Sequence, residues 1–381
     1  MKDLSLYIHI PFCKSKCNYC DFLSFDNEDK KIENYINALN NEIKNYSELT
    51  KGYQIKSIFI GGGTPSILSC NQLSSILLAI KKYYDIDKNA EITIEANPGT
   101  LTLEKIETIL RYNVNRVSVG LQSCNNIALK KLGRIHTLEE FLLSYELLRN
   151  TGVKNINIDL MFALPNQTIK ELESDLNNII KLNPEHISCY GLIIEEGTLF
   201  NKLYNDNKLF LPNEEIERDM YWLVHNILEE NYYKHYEISN FAKKGKECYH
   251  NTVYWKEFEY IGIGLGASSY FNGYRYKNIS DINNYIQLNG EINLLKEDIQ
   301  KIDKLTSIEE YMFLGLRLLD GINKQEFNDR WGEEVDLYYK EVIKELTQKK
   351  LLYEDAYRVK LTEKGIDISN VVLSNFLLDK S

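Results

Sequence analysis

Over its first 190 residues the chain alternates short apolar runs with longer stretches in which apolar residues recur every three or four positions. This alternation is typical of βα units around a parallel sheet. The predicted strands cover residues 6–10, 57–60, 91–96, 116–121, 155–161 and 186–192. The helices predicted between them cover residues 31–46, 72–84, 103–112, 138–150 and 169–182. The pattern therefore predicts an α/β fold, a partial (β/α)6 barrel of TIM type.

Polar residues and glycines follow the ends of these predicted strands. They are Cys13, the run 61–64, Glu95, Gln122 and Asp159. In parallel βα folds the residues that bind ligands collect at the carboxyl ends of the strands. We therefore expect one functional site on this rim.

Three cysteines, Cys13, Cys17 and Cys20, lie on one loop after the first predicted strand. Three thiolates at this spacing can ligate three irons of a [4Fe–4S] cubane and leave the fourth iron open. An open iron can chelate the amino and carboxylate groups of S-adenosylmethionine (SAM), and an electron from the cluster can then cleave the sulfonium bond to a 5′-deoxyadenosyl radical. The alternative is a zinc site with His9 as the fourth ligand. The context favours the cluster, because the thiols follow a strand that opens a βα series and no second cysteine pair lies nearby.

A glycine-rich run, GGGTP at residues 61–65, directly follows the second predicted strand. Glycines let the backbone approach a ligand closely and expose its N–H and C=O groups. Beside the cysteine motif, this run is expected to receive the methionyl end of SAM.

Six short motifs together resemble the family of oxygen-independent coproporphyrinogen III oxidases and their relatives. They are YIHIPFC (7–13), GGGTP (61–65), IEANP (94–98), GLQS (120–123), LGR (132–134) and IDL (158–160). The resemblance implies a radical SAM core. It also implies SAM contacts from Tyr7, Gly63, Thr64, Glu95, Gln122, Arg134 and Asp159. The chemistry agrees, since carboxylates and amides accept hydrogen bonds from ammonium or hydroxyl groups and an arginine can clamp a carboxylate.

Two branches of this family differ in function. The oxidases resemble one another in a further cysteine two residues after the third, where this chain has Phe22. Phe22 and the HNxxYW motif at 250–255 instead resemble the heme chaperone branch, HemW. That branch is implied to bind heme and to pass it to an acceptor protein, such as a membrane-associated respiratory enzyme, with an electron donor serving the cluster. Oxidative decarboxylation of coproporphyrinogen III is the alternative, and a heme carrier with vestigial SAM chemistry is a third interpretation.

His250 of the HNxxYW motif is the expected heme ligand. An imidazole can ligate heme iron while the rings of Tyr254 and Trp255 bury the macrocycle. Cys248 and Tyr249 are adjacent and can also ligate or shield the iron. The alternative is a core histidine with aromatic neighbours.

The net charge of −10 argues against a nucleic-acid partner, because such proteins present clustered Lys and Arg to phosphates. The first residues lack the apolar run of a signal peptide, and no segment has ~18 consecutive apolar residues. A cytoplasmic location is therefore expected.

Three regions are expected along the chain. A radical SAM core covers residues 1–240, a loop-rich connection with the HNxxYW motif covers 241–290, and a helical C-terminal domain covers 291–381. In the last region helical patterns precede two β-rich runs at 350–355 and 358–362, which predicts a smaller, mainly helical, winged-helix-like domain. Its surplus of acidic residues argues against DNA binding.

Overall fold

The computed structural model describes residues 1–378. The strands are β1 (Lys2–Ile10), β2 (Tyr53–Gly62), β3 (Ile86–Ala96), β4 (Arg116–Gln122), β5 (Ile156–Phe162), β6 (His186–Gly191), β7 (Lys234–Glu237), β8 (Asn240–Ala242), β9 (Tyr260–Ile263), β10 (Ser268–Phe271), β11 (Tyr274–Asn278), β12 (Lys296–Lys301), β13 (Ile322–Asn323), β14 (Leu352–Glu354) and β15 (Arg358–Leu361). The helices are α1 (Ile32–Ser47), α2 (Cys70–Tyr83), α3 (Leu103–Arg111), α4 (Asn126–Lys131), α5 (Leu138–Asn150), α6 (Ile169–Lys181), α7 (Leu199–Asn205), α8 (Glu214–Glu230), α9 (Tyr249–Trp255), α10 (Ile282–Leu288), α11 (Ile292–Leu295), α12 (Lys304–Gly315), α13 (Lys324–Trp331), α14 (Asp336–Gln348), α15 (Glu363–Asp367) and α16 (Ser369–Leu373).

The main sheet confirms the predicted α/β barrel. Strands β1 to β6 pair in sequence order and are all parallel. Every residue of β4 is buried, as expected for a strand covered on both faces. Helices α2, α5 and α6 each begin with a capping box, in which a Ser or Thr and the Gln or Glu three residues later satisfy the first N–H groups. The helices therefore start at fixed points after their loops, and the strand ends of this partial barrel meet on one rim.

Residues 241–290 hold more regular structure than the sequence suggested. Helices α9 and α10 lie here, and β9 extends the main sheet by pairing in parallel with β1. Apolar residues of this stretch, such as Ile261 and Tyr285, pack in the same core as the barrel. The division into three regions stays a prediction.

The C-terminal part has a hydrophobic core of its own, built around residues such as Phe327, Tyr339 and Phe376. Helices α12, α13 and α14 precede the two predicted β-rich runs. These runs form β14 and β15, which pair antiparallel, and β13 adds a third strand beside β15. This arrangement agrees with the expected winged-helix-like shape. Residues 379–381 lie outside the described residues. Of the helices described, none has the length and apolar character that a membrane crossing requires.

Candidate functional site

The loop that carries the three cysteines leaves the end of β1 and is held at both ends. The N–H of Cys13 donates to the carbonyl of Phe25 (2.9 Å). At the other end, the backbone N–H of Asn18 donates to the carbonyl of Leu132, and its side chain donates to the carbonyl of Lys131, both at 2.9 Å. The end of α4 therefore holds the cysteine loop against the barrel rim.

A cleft on this rim, the cluster cleft, brings most of the predicted site residues together. Its lining includes Cys13, Cys17, Cys20, Gly63, Thr64, Glu95, Gln122, Arg134 and Asp159. The strand ends thus meet as the parallel topology requires. Tyr7 and His250 are not among the lining residues. The cleft also includes Tyr19, Asn97 and Tyr190, which the motifs did not single out as ligand contacts.

Two of the three thiols accept hydrogen bonds from polar side chains. The hydroxyl of Thr64 donates to the Sγ of Cys13, and Nη1 of Arg134 donates to the Sγ of Cys17, both at 3.6 Å. Burial raises the pKa of the Cys13 thiol and raises that of Cys20 to about 11. Within residues 1–378 no three His, Cys, Asp or Glu side chains lie close enough together to hold one metal ion between them. A cubane makes no such demand, because each thiolate binds a different iron, so this donor set fits a [4Fe–4S] cluster.

His9, the candidate zinc ligand, is committed elsewhere. Its Nε2 lies 2.8 Å from the carbonyl of Leu23, which can only accept a hydrogen bond, so this nitrogen carries the proton. Its Nδ1 then accepts from the hydroxyl of Tyr7 at 3.0 Å. Both ring nitrogens are therefore used away from the cysteines.

Two half-buried carboxyl groups, Glu95 and Asp159, lie in the cluster cleft. Oε2 of Glu95 accepts the N–H of Gly62 at 3.0 Å, and Asp159 accepts from the side chain of Asn157 at 2.7 Å. Burial raises the pKa of both groups, and the nearby Asp159 helps to raise that of Glu95 to about 8. Since these carboxyls lack full compensation by positive charge, the cleft suits a cationic ligand, and SAM carries both an ammonium and a sulfonium group.

Arg134 is fixed before any ligand arrives. Its Nη2 donates to Oδ1 of Asn97 at 2.7 Å and to the carbonyl of Gly120 at 2.6 Å. Asn97 in turn donates to the hydroxyl of Thr64 at 2.9 Å. Asn97 was visible in the IEANP motif, but only the structure shows that it joins the arginine to the glycine-rich loop.

Gln122 has a strained backbone, with φ of 73°. The register between β4 and β5 shifts at this point, and the hydroxyl of Tyr190 donates to Oε1 of Gln122 at 3.1 Å. A non-glycine residue in the left-handed region costs free energy and is common at ligand sites. The strain places the amide of Gln122 in the cleft.

The N–H groups of Gly63 and Thr64 in the glycine-rich loop are hydrogen-bonded within the protein, whereas the sequence led us to expect exposed N–H groups. The N–H of Gly63 donates to the carbonyl of Ile10, and the N–H of Thr64 donates to that of Phe12, both at 2.8 Å. A Cβ on Gly63 would lie 2.7 Å from the carbonyl oxygen of Phe12, so only glycine fits here. These hydrogen bonds hold the loop against the end of β1. Because the N–H of Gly63 is already used, its backbone can contact a ligand only through the carbonyl group.

His250 lies inside the barrel, below the cluster cleft, and is 1% exposed. Its Nδ1 is 2.8 Å from the hydroxyl of Ser57, and its Nε2 is 2.9 Å from that of Tyr254. Its ring stacks on Phe59, which also stacks on Tyr7. Burial lowers the pKa of His250 to about 3, so the ring is neutral at ordinary pH. An axial bond to iron would require the ring to leave Ser57 or Tyr254.

Comparisons with known proteins agree with this geometry. Residues 7–179 match the model of the radical SAM superfamily, and residues 302–368 match that of the HemN C-terminal domain. The chain is 41% identical to heme chaperone HemW of Lactococcus lactis, over 99% of this chain and 98% of that protein. It is 39% identical to heme chaperone HemW of Bacillus subtilis, over 98% and 99% of the two chains. The structure of coproporphyrinogen III oxidase (HemN) from Escherichia coli, a radical SAM enzyme, superposes with a TM-score of 0.85 over 98% of this chain and 90% of that one. The sequence identity is 22%, so this likeness shows the fold alone.

Proposed function

The chain belongs to the HemW family of radical SAM proteins, and on this premise we propose that it binds heme and transfers it to an acceptor protein. The observation that carries the proposal is similarity to two heme chaperones over nearly the full length of both partners. Phe22 supports the same branch, because the oxidases resemble one another in having a cysteine there. The acceptor, an electron donor and the cytoplasmic location belong to this proposal.

We further propose that Cys13, Cys17 and Cys20 hold a [4Fe–4S] cluster whose open iron binds SAM. When bound, these cofactors supply reductive cleavage of the sulfonium bond. Within the chain, Arg134 and Thr64 donate to two of the sulfurs and so stabilise them as thiolates. The carboxyl groups of Glu95 and Asp159 orient the cationic ligand, with Gly62 and Asn157 holding those carboxyls in place.

That His250 is an axial heme ligand stays a prediction, and the structure shows what this role would require. The ring of His250 must break its hydrogen bond with Ser57 before Nδ1 can bind iron, or its hydrogen bond with Tyr254 before Nε2 can. Tyr254 also lines a cavity of about 220 Å³ with Tyr260 and Tyr270, which supplies aromatic surface beside the motif.

One preparation tests the proposal. After anaerobic reconstitution of the cluster, hemin is titrated while the Soret band is followed, and coproporphyrinogen III with SAM is assayed for carbon dioxide release. We expect about one heme per chain and no decarboxylation. Enzyme-like release of carbon dioxide would favour the oxidase function instead, and a wild-type protein that binds no heme would end the chaperone proposal.

A further inference from the structure

A series of hydrogen-bonded residues, the interior chain, runs inside the barrel from the cluster cleft to the start of α9. Its members are Asp159 and Asn157 of β5, His186 of β6, Tyr236 of β7 and Cys248, which directly precedes α9. Asp159 lines the cluster cleft, whereas the other four residues are at most 5% exposed. The interior chain therefore connects the rim that holds the predicted SAM site with the helix that carries the HNxxYW motif.

Each link of the interior chain has the distance of a hydrogen bond. Nδ2 of Asn157 donates to Oδ1 of Asp159 at 2.7 Å, and Oδ1 of Asn157 lies 2.6 Å from Nδ1 of His186. Nε2 of His186 lies 2.8 Å from the hydroxyl of Tyr236, and the N–H of Cys248 donates to that hydroxyl at 3.3 Å. The links come from three strands and one helix start, so they join elements that are far apart in sequence.

The donors of the interior chain all point in one direction. Burial, followed by the nearby charge of Arg116, holds the pKa of His186 well below its ordinary value, so the ring is neutral and has one proton. The amide oxygen of Asn157 can only accept, which puts this proton on Nδ1 and makes Nε2 the acceptor of the Tyr236 hydroxyl. From Cys248 to Asp159 each group therefore donates to the next. Hydrogen bonds in such a series polarise one another, so a change at one end affects the other.

The far end of the interior chain holds the start of α9. The N–H of Cys248 has the Tyr236 hydroxyl as its partner, and the N–H groups of Tyr249 and His250 donate to the carboxylate of Glu91, both at 3.0 Å. Tyr236 and Glu91 thus fix the first residues of the helix. Because the ring of His250 must break a hydrogen bond before it can bind iron, a change in how α9 is held also changes the free energy of that step.

The polar character of this part of the barrel needs an explanation. The interior of such barrels is usually filled by branched aliphatic side chains, and buried polar groups lower stability unless each of them is paired. Every polar side-chain atom of Asn157, His186 and Tyr236 has a partner. A fully paired network of this kind specifies one arrangement and keeps its two ends in register.

We propose that the interior chain couples the cluster cleft to α9, with His186 and Tyr236 as positioning residues, so that SAM in the cleft changes the affinity for heme. This inference rests on the proposed function and adds communication between its two ligands. A cation beside Asp159 alters how strongly that carboxylate accepts from Asn157, because hydrogen bonds to charged groups depend on that charge. By linkage, heme must change the SAM affinity by the same factor.

Hemin titrations of the reconstituted full-length protein test the coupling, with the cluster kept oxidised so that SAM is not cleaved. SAM should change the hemin affinity of the wild type by at least ~5-fold, the lower end of typical couplings. Tyr236→Phe removes one hydroxyl and should abolish this dependence while four irons and SAM are still bound. His186→Asn should do the same, because it keeps a donor toward Asn157 and has no acceptor for Tyr236. The matched control is Tyr233→Phe, which should keep the dependence: Tyr233 is also buried, but its hydroxyl donates to the carbonyl of Pro184 at 2.8 Å.

Hydrogen exchange gives a second readout that needs neither a variant nor heme. In the reconstituted wild type, SAM should change the exchange of peptides that cover residues 248–255 and leave those of β14 and β15 unchanged. Three results would overturn the coupling while leaving the chaperone function intact: a wild-type hemin affinity that SAM does not change, a dependence on SAM that persists in both variants, or unchanged exchange of residues 248–255. A wild-type protein that binds no hemin would overturn both.

Discussion

Replacing Glu95 by glutamine tests whether the cluster cleft is built for a cation. The glutamate is half-buried near Asp159, and its Oε2 accepts the N–H of Gly62. Glutamine has the same shape, and its carbonyl oxygen can keep the Gly62 hydrogen bond. The change therefore removes the negative charge with little effect on packing.

The sign of the effect follows from the pKa. Glu95 titrates at about 8 in the folded protein and near 4.5 in the unfolded chain, so the folded state holds an extra proton between these values. Folding stability conferred by this group therefore falls as the pH rises from 4.5 to 8 and stays low above. Each pKa unit is worth about 1.4 kcal/mol, which makes the ionised carboxylate cost the cluster-free protein up to about 5 kcal/mol at pH 9.

Urea denaturation of the cluster-free protein, followed by circular dichroism at pH 5 and pH 9, measures this cost. We expect Glu95→Gln to be more stable than wild type by about 2–5 kcal/mol at pH 9 and by less than about 1 kcal/mol at pH 5. The exposed Glu107→Gln on α3 is the control and should match wild type at both values. After reconstitution, Glu95→Gln should bind SAM more weakly. A variant less stable than wild type at pH 9, or one with unchanged SAM affinity, would refute the reasoning.

Two further predictions concern the metal and the heme. Alanine at any one of Cys13, Cys17 or Cys20 should abolish stable binding of four irons, because two thiolates hold a cubane poorly, whereas Cys70→Ala should keep the cluster. The measurement is iron and sulfide analysis after anaerobic reconstitution, and full iron content in all three cluster variants would contradict the assignment. His250→Ala should weaken heme binding or shift the Soret band. Replacement of both Tyr254 and Trp255 should weaken heme binding even with His250 intact. A wild-type spectrum and a wild-type heme affinity in both variants would show that the HNxxYW motif does not bind heme.

The parallel strands could be predicted from sequence because burial on both faces gives them continuous apolar runs. The strand predicted at 116–121 is β4, Arg116–Gln122. Strands β9 to β11 were missed because each is four or five residues long and their apolar pattern is interrupted by residues such as Gly262 and Tyr274. The pairing of β9 with β1 joins segments about 250 residues apart, which no local pattern reveals.

The cluster cleft was predictable for a related reason. Parallel strands bring their carboxyl ends to one edge, so polar residues after successive strands had to meet. The direction of each side chain was not predictable. Tyr190 lies within a predicted strand, and only the fold shows its hydroxyl reaching Gln122.

The histidine of the HNxxYW motif shows a further limit of sequence patterns. Aromatic neighbours at 254 and 255 are compatible with a heme site and with a packed core. The deciding contact is the hydroxyl of Ser57, which lies 193 residues earlier in the chain. A motif cannot indicate whether both nitrogens of its histidine are already paired.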